Sequence, residues 1–137
     1  MKAVAIYCVD GRLEDTRKRV RNFITELGHD IPEGSLYGIT KAGPDAACLG
    51  KRGETNQLSV YSDIELLLER GVPVEVIILT SHDECAGHPA DEEVHYDDTK
   101  QAAELMHKHF QLPVVCLFDK KTETGWCLEH IATVGSK

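Results

Sequence analysis

Short, continuous, β-branched apolar runs alternate with stretches of helical periodicity along this chain, and that alternation narrows the fold more than any other feature. Residues 3–8, 74–80 and 114–118 read as fully buried strands, because apolar runs of this length without polar alternation suit a sheet covered on both faces. Residues 35–40 make a weaker strand, and residues 126–131, after the turn at Gly125, an edge strand. Between them, Val20, Phe23, Ile24 and Leu27 recur at i, i+3, i+4 and i+7, which predicts a helix over residues 13–27 that stops at Gly28. Asn56 can cap a second helix that buries Leu58, Tyr61, Ile64 and Leu68 and ends at Gly71. Asp97 or Asp98 can cap a third, with Ala102, Leu105, Met106 and Phe110 facing inward. Residues 42–55 hold Gly43, Pro44, Gly50 and Gly53 and read as a glycine-rich connection. The expected architecture is a small three-layer α/β domain with a mostly parallel central sheet of four to five strands, the first beside the third.

The 137 residues, 42% of them apolar, fit a single domain over residues 1–137. A net charge of −8 disfavours nucleic acid or an anionic membrane as partner. Arg17, Lys18, Arg19 and Arg21 run against that sign, but Glu14 and Asp15 precede them at helical spacing, so a solvated helix face is expected. No run approaches the roughly 20 apolar residues of a membrane span, and the start does not read as a signal peptide. Five cysteines, an odd number without a Cys-x-x-Cys pair, make a poor disulfide framework and point to a reducing, cytoplasmic setting. Cys8, Cys116 and Cys127 lie in or beside strand-like runs, where thiols are commonly buried and inert.

Two of these runs end in residues that bind metals. Cys8-Val9-Asp10-Gly11-Arg12 follows the first, and His82-Asp83-Glu84-Cys85 follows the third. Ligands in such sheets gather beyond the carboxyl ends of strands, so neighbouring strands would bring both motifs to one rim. Two thiolates and an imidazole suit Zn²⁺, and three protein ligands leave a fourth position for water or substrate. Asp10 and Arg12 alternate with Cys8 if the chain stays extended, so a carboxylate held by a guanidinium can face the same place. Each residue alone also has an ordinary reading: a packed cysteine, a hydrogen-bonded histidine, a helix cap with a surface ion pair. A metal-free cysteine enzyme is a further alternative, with Cys8 or Cys85 as nucleophile and His82 as base. Elsewhere, His88 and His95 flank Asp91-Glu92-Glu93 and could hold a stray metal, although a polar surface loop or helix approach is the expected reading. His107 and His109 are too close in sequence to share a helix face. Lys41, Lys51 and Arg52 could attract an anion, but no Walker pattern accompanies them, so a mobile loop is the default.

Cys8-x-Asp10-x-Arg12 with His82-x-x-Cys85 resembles the paired signature of β-class carbonic anhydrases. The likeness is closest to a short carbonic-anhydrase-like branch whose second motif reads His-x-x-Cys-Ala-Gly, here His82 to Gly87. Thr40-Lys41-Ala42-Gly43-Pro44 is similar to the glycine loop after the second strand of those proteins. The resemblance implies that Cys8, His82 and Cys85 ligate Zn²⁺, that Asp10 and Arg12 orient a zinc-bound hydroxide, and that the reaction is hydration of CO₂ to bicarbonate. It also implies a homodimer or higher homo-oligomer. The matching Asp of some members instead takes the fourth zinc position. Several features depart from the usual pattern: a full helix after Arg12, Lys41 in place of Asn, Ala86 ahead of Gly87, and no N-terminal helical arm before the first strand. They border the pocket and so bear on substrate more than metal. Another small electrophile, carbonyl sulfide or carbon disulfide, and a non-catalytic zinc module are the alternative expectations.

Overall fold

The computed structural model describes residues 1–135. Its strands are Lys2–Tyr7 (β1), Leu36–Thr40 (β2), Val74–His82 (β3), Val114–Thr122 (β4) and Gly125–Val134 (β5), in one sheet of order β2-β1-β3-β4-β5. β1 pairs in parallel with both β2 and β3, β3 pairs in parallel with β4, and β5 returns antiparallel at the edge. The first strand thus lies beside the third. The helices are Thr16–Glu26 (α1), Pro44–Leu49 (α2), Glu54–Glu69 (α3) and Glu92–Phe110 (α4), with one 3₁₀ turn at Gly11–Leu13.

Continuous apolar stretches in the central strands, residues 3–6, 76–79 and 114–118, supply both faces. Val4, Ile6, Ile77, Leu79, Val114 and Cys116 pack against α2, α3 and α4 through Cys48, Val60, Ile64, Ala102 and Met106. Their strand neighbours Ala3, Ala5, Val76, Ile78, Val115 and Leu117 point the other way and meet Val20 and Ile24 of α1. Each fully buried aliphatic side chain of this kind contributes about 1.5–3 kcal/mol. The threonine near the end of β3 adds a tie between the site-bearing strands, since Thr80 Oγ1 donates to the Ile6 carbonyl at 2.9 Å.

Several sequence expectations need correcting. Residues 42–55 are not a plain connection, because α2 forms within them. Pro44 sits at its first turn, where a missing N–H costs nothing, and Ala46, Ala47 and Cys48 are buried. α4 starts six residues ahead of the expected caps, with the Asp91 carboxylate accepting from Val94 N at 3.0 Å; Asp98 is buried within the helix. Leu58 and Leu105 are exposed rather than inward, the stripe of α3 being Val60, Tyr61 and Ile64. Arg19 does not merely face water: it bonds the buried Asp119 carboxylate through Nη1 at 2.8 Å and Nη2 at 2.6 Å. Lys41, Lys51 and Arg52 are tied down by Ser59, Asp98 and the Ala42 carbonyl respectively.

Cys127 is exposed, against the expectation of an inert thiol, whereas Cys8, Cys48, Cys85 and Cys116 are buried and all five are free. Desolvation pushes the thiols of Cys48 and Cys116 each up to about 12. A thiol reagent at about pH 8, near the ordinary cysteine pKa, therefore labels one cysteine rapidly in the folded, metal-loaded protein, and mass mapping places it at Cys127. Rapid labelling of Cys48 or Cys116 would contradict this core.

Candidate metal centre

The parallel pairing of β1 and β3 carries Cys8 and His82 to the same rim of the sheet, and the turn after His82 brings Cys85 back beside them. One ligating atom each from Cys8, His82 and Cys85 falls within 4.8 Å of the others, and all three residues are buried. The two sulfurs stand 3.9 Å apart. Two thiolates on a tetrahedral zinc at about 2.3 Å would stand about 3.8 Å apart, so the spacing fits that ion. His82 Nδ1 donates to the Asp83 carbonyl at 2.6 Å, which leaves the lone pair on Nε2. That Nε2 is buried and has no hydrogen-bond partner. A buried imidazole nitrogen facing two sulfurs is what a soft divalent cation requires.

Protons are shared unevenly in the cluster. The hydrogen bond from Cys85, opposed by burial and helped by His82, holds the Cys8 thiol well below its usual range. The same contact, together with burial, pushes Cys85 up. His82 is raised overall: burial opposes its charge, but Cys8 and the Asp83 carbonyl outweigh it. Metal binding at such a site displaces protons.

Beside the cluster, Arg12 grips Asp10 bidentately, Nη2 to Oδ2 at 2.7 Å and Nε to Oδ1 at 3.1 Å. The Asp10 carboxylate also accepts from Arg12 N at 2.9 Å, capping the 3₁₀ turn. These bonds from Arg12, against a smaller desolvation cost, lower Asp10 from 3.8 to about 2. Because the folded value is the lower one, the pair adds stability above the unfolded value and loses it as pH falls toward about 2.

Two residues that sequence reasoning missed complete the grip. Arg12 Nη1 donates to Glu84 Oε1 at 2.9 Å and Nη2 to the Glu84 carbonyl at 3.1 Å. Glu84 adopts φ 56°, a left-handed backbone uncommon outside glycine, within the turn that separates His82 from Cys85. The Trp126 ring lies 5.3 Å from the Arg12 guanidinium and 5.7 Å edge-on from His82. Glu84 lay in plain view inside the second motif; nothing local pointed to Trp126, which arrives from the edge strand.

The loop after β2 closes the floor. A Cβ on Gly87 would stand 2.5 Å from Gly43 N, and one on Gly43 would stand 2.7 Å from Gly87 O, so the two glycines let the loops after β2 and β3 touch. A pocket of about 370 Å³ opens beside the cluster, lined by Glu84, Cys85, Ala86, Pro89 and Ala90. A larger one of about 560 Å³, between α3 and α4, shares no residue with it.

The sequence matches the family model described as "Putative carbonic anhydrase" over residues 1–132. The chain belongs to that family. Among solved structures, it is similar to one of two tetrameric β-carbonic anhydrases from the filamentous ascomycete Sordaria macrospora, at 13% identity and a TM-score of 0.58, over 97% of this chain and 82% of that one. A carbonic anhydrase from Glaciozyma antarctica is similar at 14% identity and a TM-score of 0.54, over 94% of this chain and 81% of that one. At these identities the likeness establishes the fold, and the chemistry rests on the residues. No curated protein sequence matches the chain.

One of the histidines outside the first cluster also differs from expectation. His95 is fully buried in the first turns of α4, which removes the surface reading for it, whereas His88 does lie in the loop after β3 and is half-buried. One ligating atom each from Asp45, His88 and His95 again falls within 4.8 Å of the others.

Proposed function

We propose that this protein is a zinc-dependent carbonic anhydrase that hydrates CO₂ to bicarbonate, with Cys8, His82 and Cys85 as metal ligands and Asp10 and Arg12 as the orienting pair. The observation that carries the reading is the bidentate hold of Arg12 on Asp10 beside a two-sulfur, one-imidazole cluster. A carboxylate so held stays on Arg12 and leaves the fourth metal position to small molecules. That arrangement favours catalysis over the non-catalytic zinc module.

A bound Zn²⁺ supplies Lewis acidity and brings the pKa of its water to about 7. The chain's own residues do the rest. Asp10, ionised down to about pH 2, can only accept a hydrogen bond, so it fixes the orientation of a donor at the fourth position. Arg12 holds that carboxylate in place, and Glu84 and Trp126 hold Arg12. His82 keeps its ring orientation through the Asp83 carbonyl. The pocket beside Cys85 is bordered by Ala86, Pro89 and Ala90, small groups suited to an apolar, linear substrate such as CO₂. Family membership and the tetrameric state of the Sordaria neighbour support a homo-oligomeric assembly. No helix among the described residues is long and apolar enough to cross a membrane.

Stopped-flow CO₂ hydration by the zinc-loaded protein over roughly pH 6.5–9, a range around the expected ionisation, tests this. The rate should rise with pH, and Asp10 contributes nothing to that rise because it titrates far below the range. Absence of hydration above buffer at every pH, in zinc-replete protein, would end the carbonic anhydrase reading.

A further inference from the structure

We propose that Asp45, His88 and His95 form a second site for a divalent transition-metal ion, with no ligand in common with the cysteine cluster. Three separate elements meet there. Asp45 lies in the first turn of α2, His95 in the first turns of α4, and His88 in the loop after β3. Asp45 and His95 are fully buried, and the His88 side chain is 15% exposed. His95 Nδ1 stands 2.7 Å from Asp45 Oδ2, and His88 Nε2 stands 3.8 Å from the same oxygen. The two imidazole rings face each other edge-on at 4.9 Å.

A metal-free polar network accounts for only part of this cluster. Asp98 is satisfied, since Lys51 Nζ reaches both its oxygens at 2.7 and 2.8 Å and His88 Nε2 lies 2.6 Å from Oδ2. Asp45 has no such cation. Its Oδ1 is buried without a partner, and so is His95 Nε2. Among the described residues, only the two histidines lie within ion-pair distance of the Asp45 carboxylate. Buried, unpaired polar atoms are rare and call for a missing partner. The atoms in question belong to a metal-binding donor set of two imidazoles and one carboxylate, without thiolate. The three ligating atoms lie within 4.8 Å of one another. Ligands at about 2.0–2.2 Å from a tetrahedral ion stand roughly 3.3–3.6 Å apart. The 3.8 Å between His88 Nε2 and Asp45 Oδ2 is near that spacing. The 2.7 Å contact of His95 Nδ1 with Asp45 would open by less than about 1 Å, and His88 Nε2 would leave Asp98 for the ion.

The test counts metal. Full-length protein is equilibrated with excess Zn²⁺, passed through a desalting column and analysed for zinc; Co²⁺ loading then separates the sites, because only the cysteine cluster gives a thiolate-to-metal charge-transfer band. Wild type should hold two zinc ions per chain. The double variant Cys8→Ser/Cys85→Ser should hold one and lose the thiolate band. His95→Gln and His88→Ala should each hold one and keep that band. His88 lies at the edge of the core, so its variant decides the matter if the buried His95→Gln does not fold. One zinc per wild-type chain with the thiolate band present, or two zinc ions retained in His88→Ala, would overturn the second site and leave the cysteine site standing. One zinc per wild-type chain without the band, lost in His88→Ala, would support the second site and overturn the first.

Discussion

Cys8→Ser, His82→Ala and Cys85→Ser are each expected to abolish stoichiometric zinc at the sulfur cluster, weakening binding by at least about 100-fold, the upper end of what losing a mere supporting group costs. The reason lies in the donor set. Removing one of three ligands leaves two, and each thiolate lost also removes charge that balances the ion. The unpartnered His82 Nε2 gives a second readout. A ligand present at about 1,000 times its dissociation constant adds about 4 kcal/mol of stability. For a chain of this length that corresponds to a melting temperature higher by on the order of 10 °C. In a His88→Ala background, which removes the second site, chelation should therefore lower the melting temperature by that amount, while adding any of the three substitutions should give the chelated melting temperature and abolish the remaining response to zinc. Circular dichroism should show the strand and helix content unchanged, because the cluster sits at the rim and not within the apolar layers. A variant that retains the thiolate-to-cobalt band and the full zinc-dependent stabilisation would strike its residue from the ligand set.

The rim is where sequence reasoning worked best, and the physics explains why. A strand buried on both faces must be a continuous apolar run, so β1, β3 and β4 announce themselves, and the residues just beyond their ends are placed at one edge by the parallel pairing alone. Cys8 and His82 follow from that, and Cys85 from its spacing within a single turn. What failed was whatever depends on partners far along the chain. The six residues of α2 are too few to display a period, and they sit between Gly43 and Gly50. Asp97 and Asp98 looked like caps because an aspartate just before an apolar stripe usually is one; the true environment of Asp98 is set by Lys51, 47 positions away. His95 looked like surface because its neighbours are acidic, yet α4 turns it onto Asp45, 50 positions away. Trp126 reaches Arg12 only because β5 folds back antiparallel on β4. Local periodicity encodes none of these long-range contacts.

The Asp10–Arg12 pair carries the other large expected effect. Asp10→Asn keeps the shape of the side chain but replaces an obligate acceptor with an amide that can also donate, so the orientation at the fourth position is no longer fixed. A loss of about 100-fold in hydration rate is expected, the scale of a misplaced reacting group, with zinc content unchanged. Arg12→Ala acts differently. It removes the bonds that hold Asp10 near a pKa of about 2 and frees the carboxylate to swing toward the metal. The rate should fall by a similar factor, but the cobalt-substituted variant should show an altered ligand-field spectrum that Asp10→Asn does not. Glu84→Gln should be milder, because Arg12 keeps its bond to the Glu84 carbonyl and its place over Trp126. Combining Arg12→Ala with Asp10→Asn removes the carboxylate that would swing, so the double variant should recover the wild-type cobalt spectrum while remaining slow. An unchanged rate in Asp10→Asn would show that the carboxylate does not orient the reacting group. An unaltered cobalt spectrum in Arg12→Ala would show that the grip of Arg12 is not what keeps Asp10 off the metal.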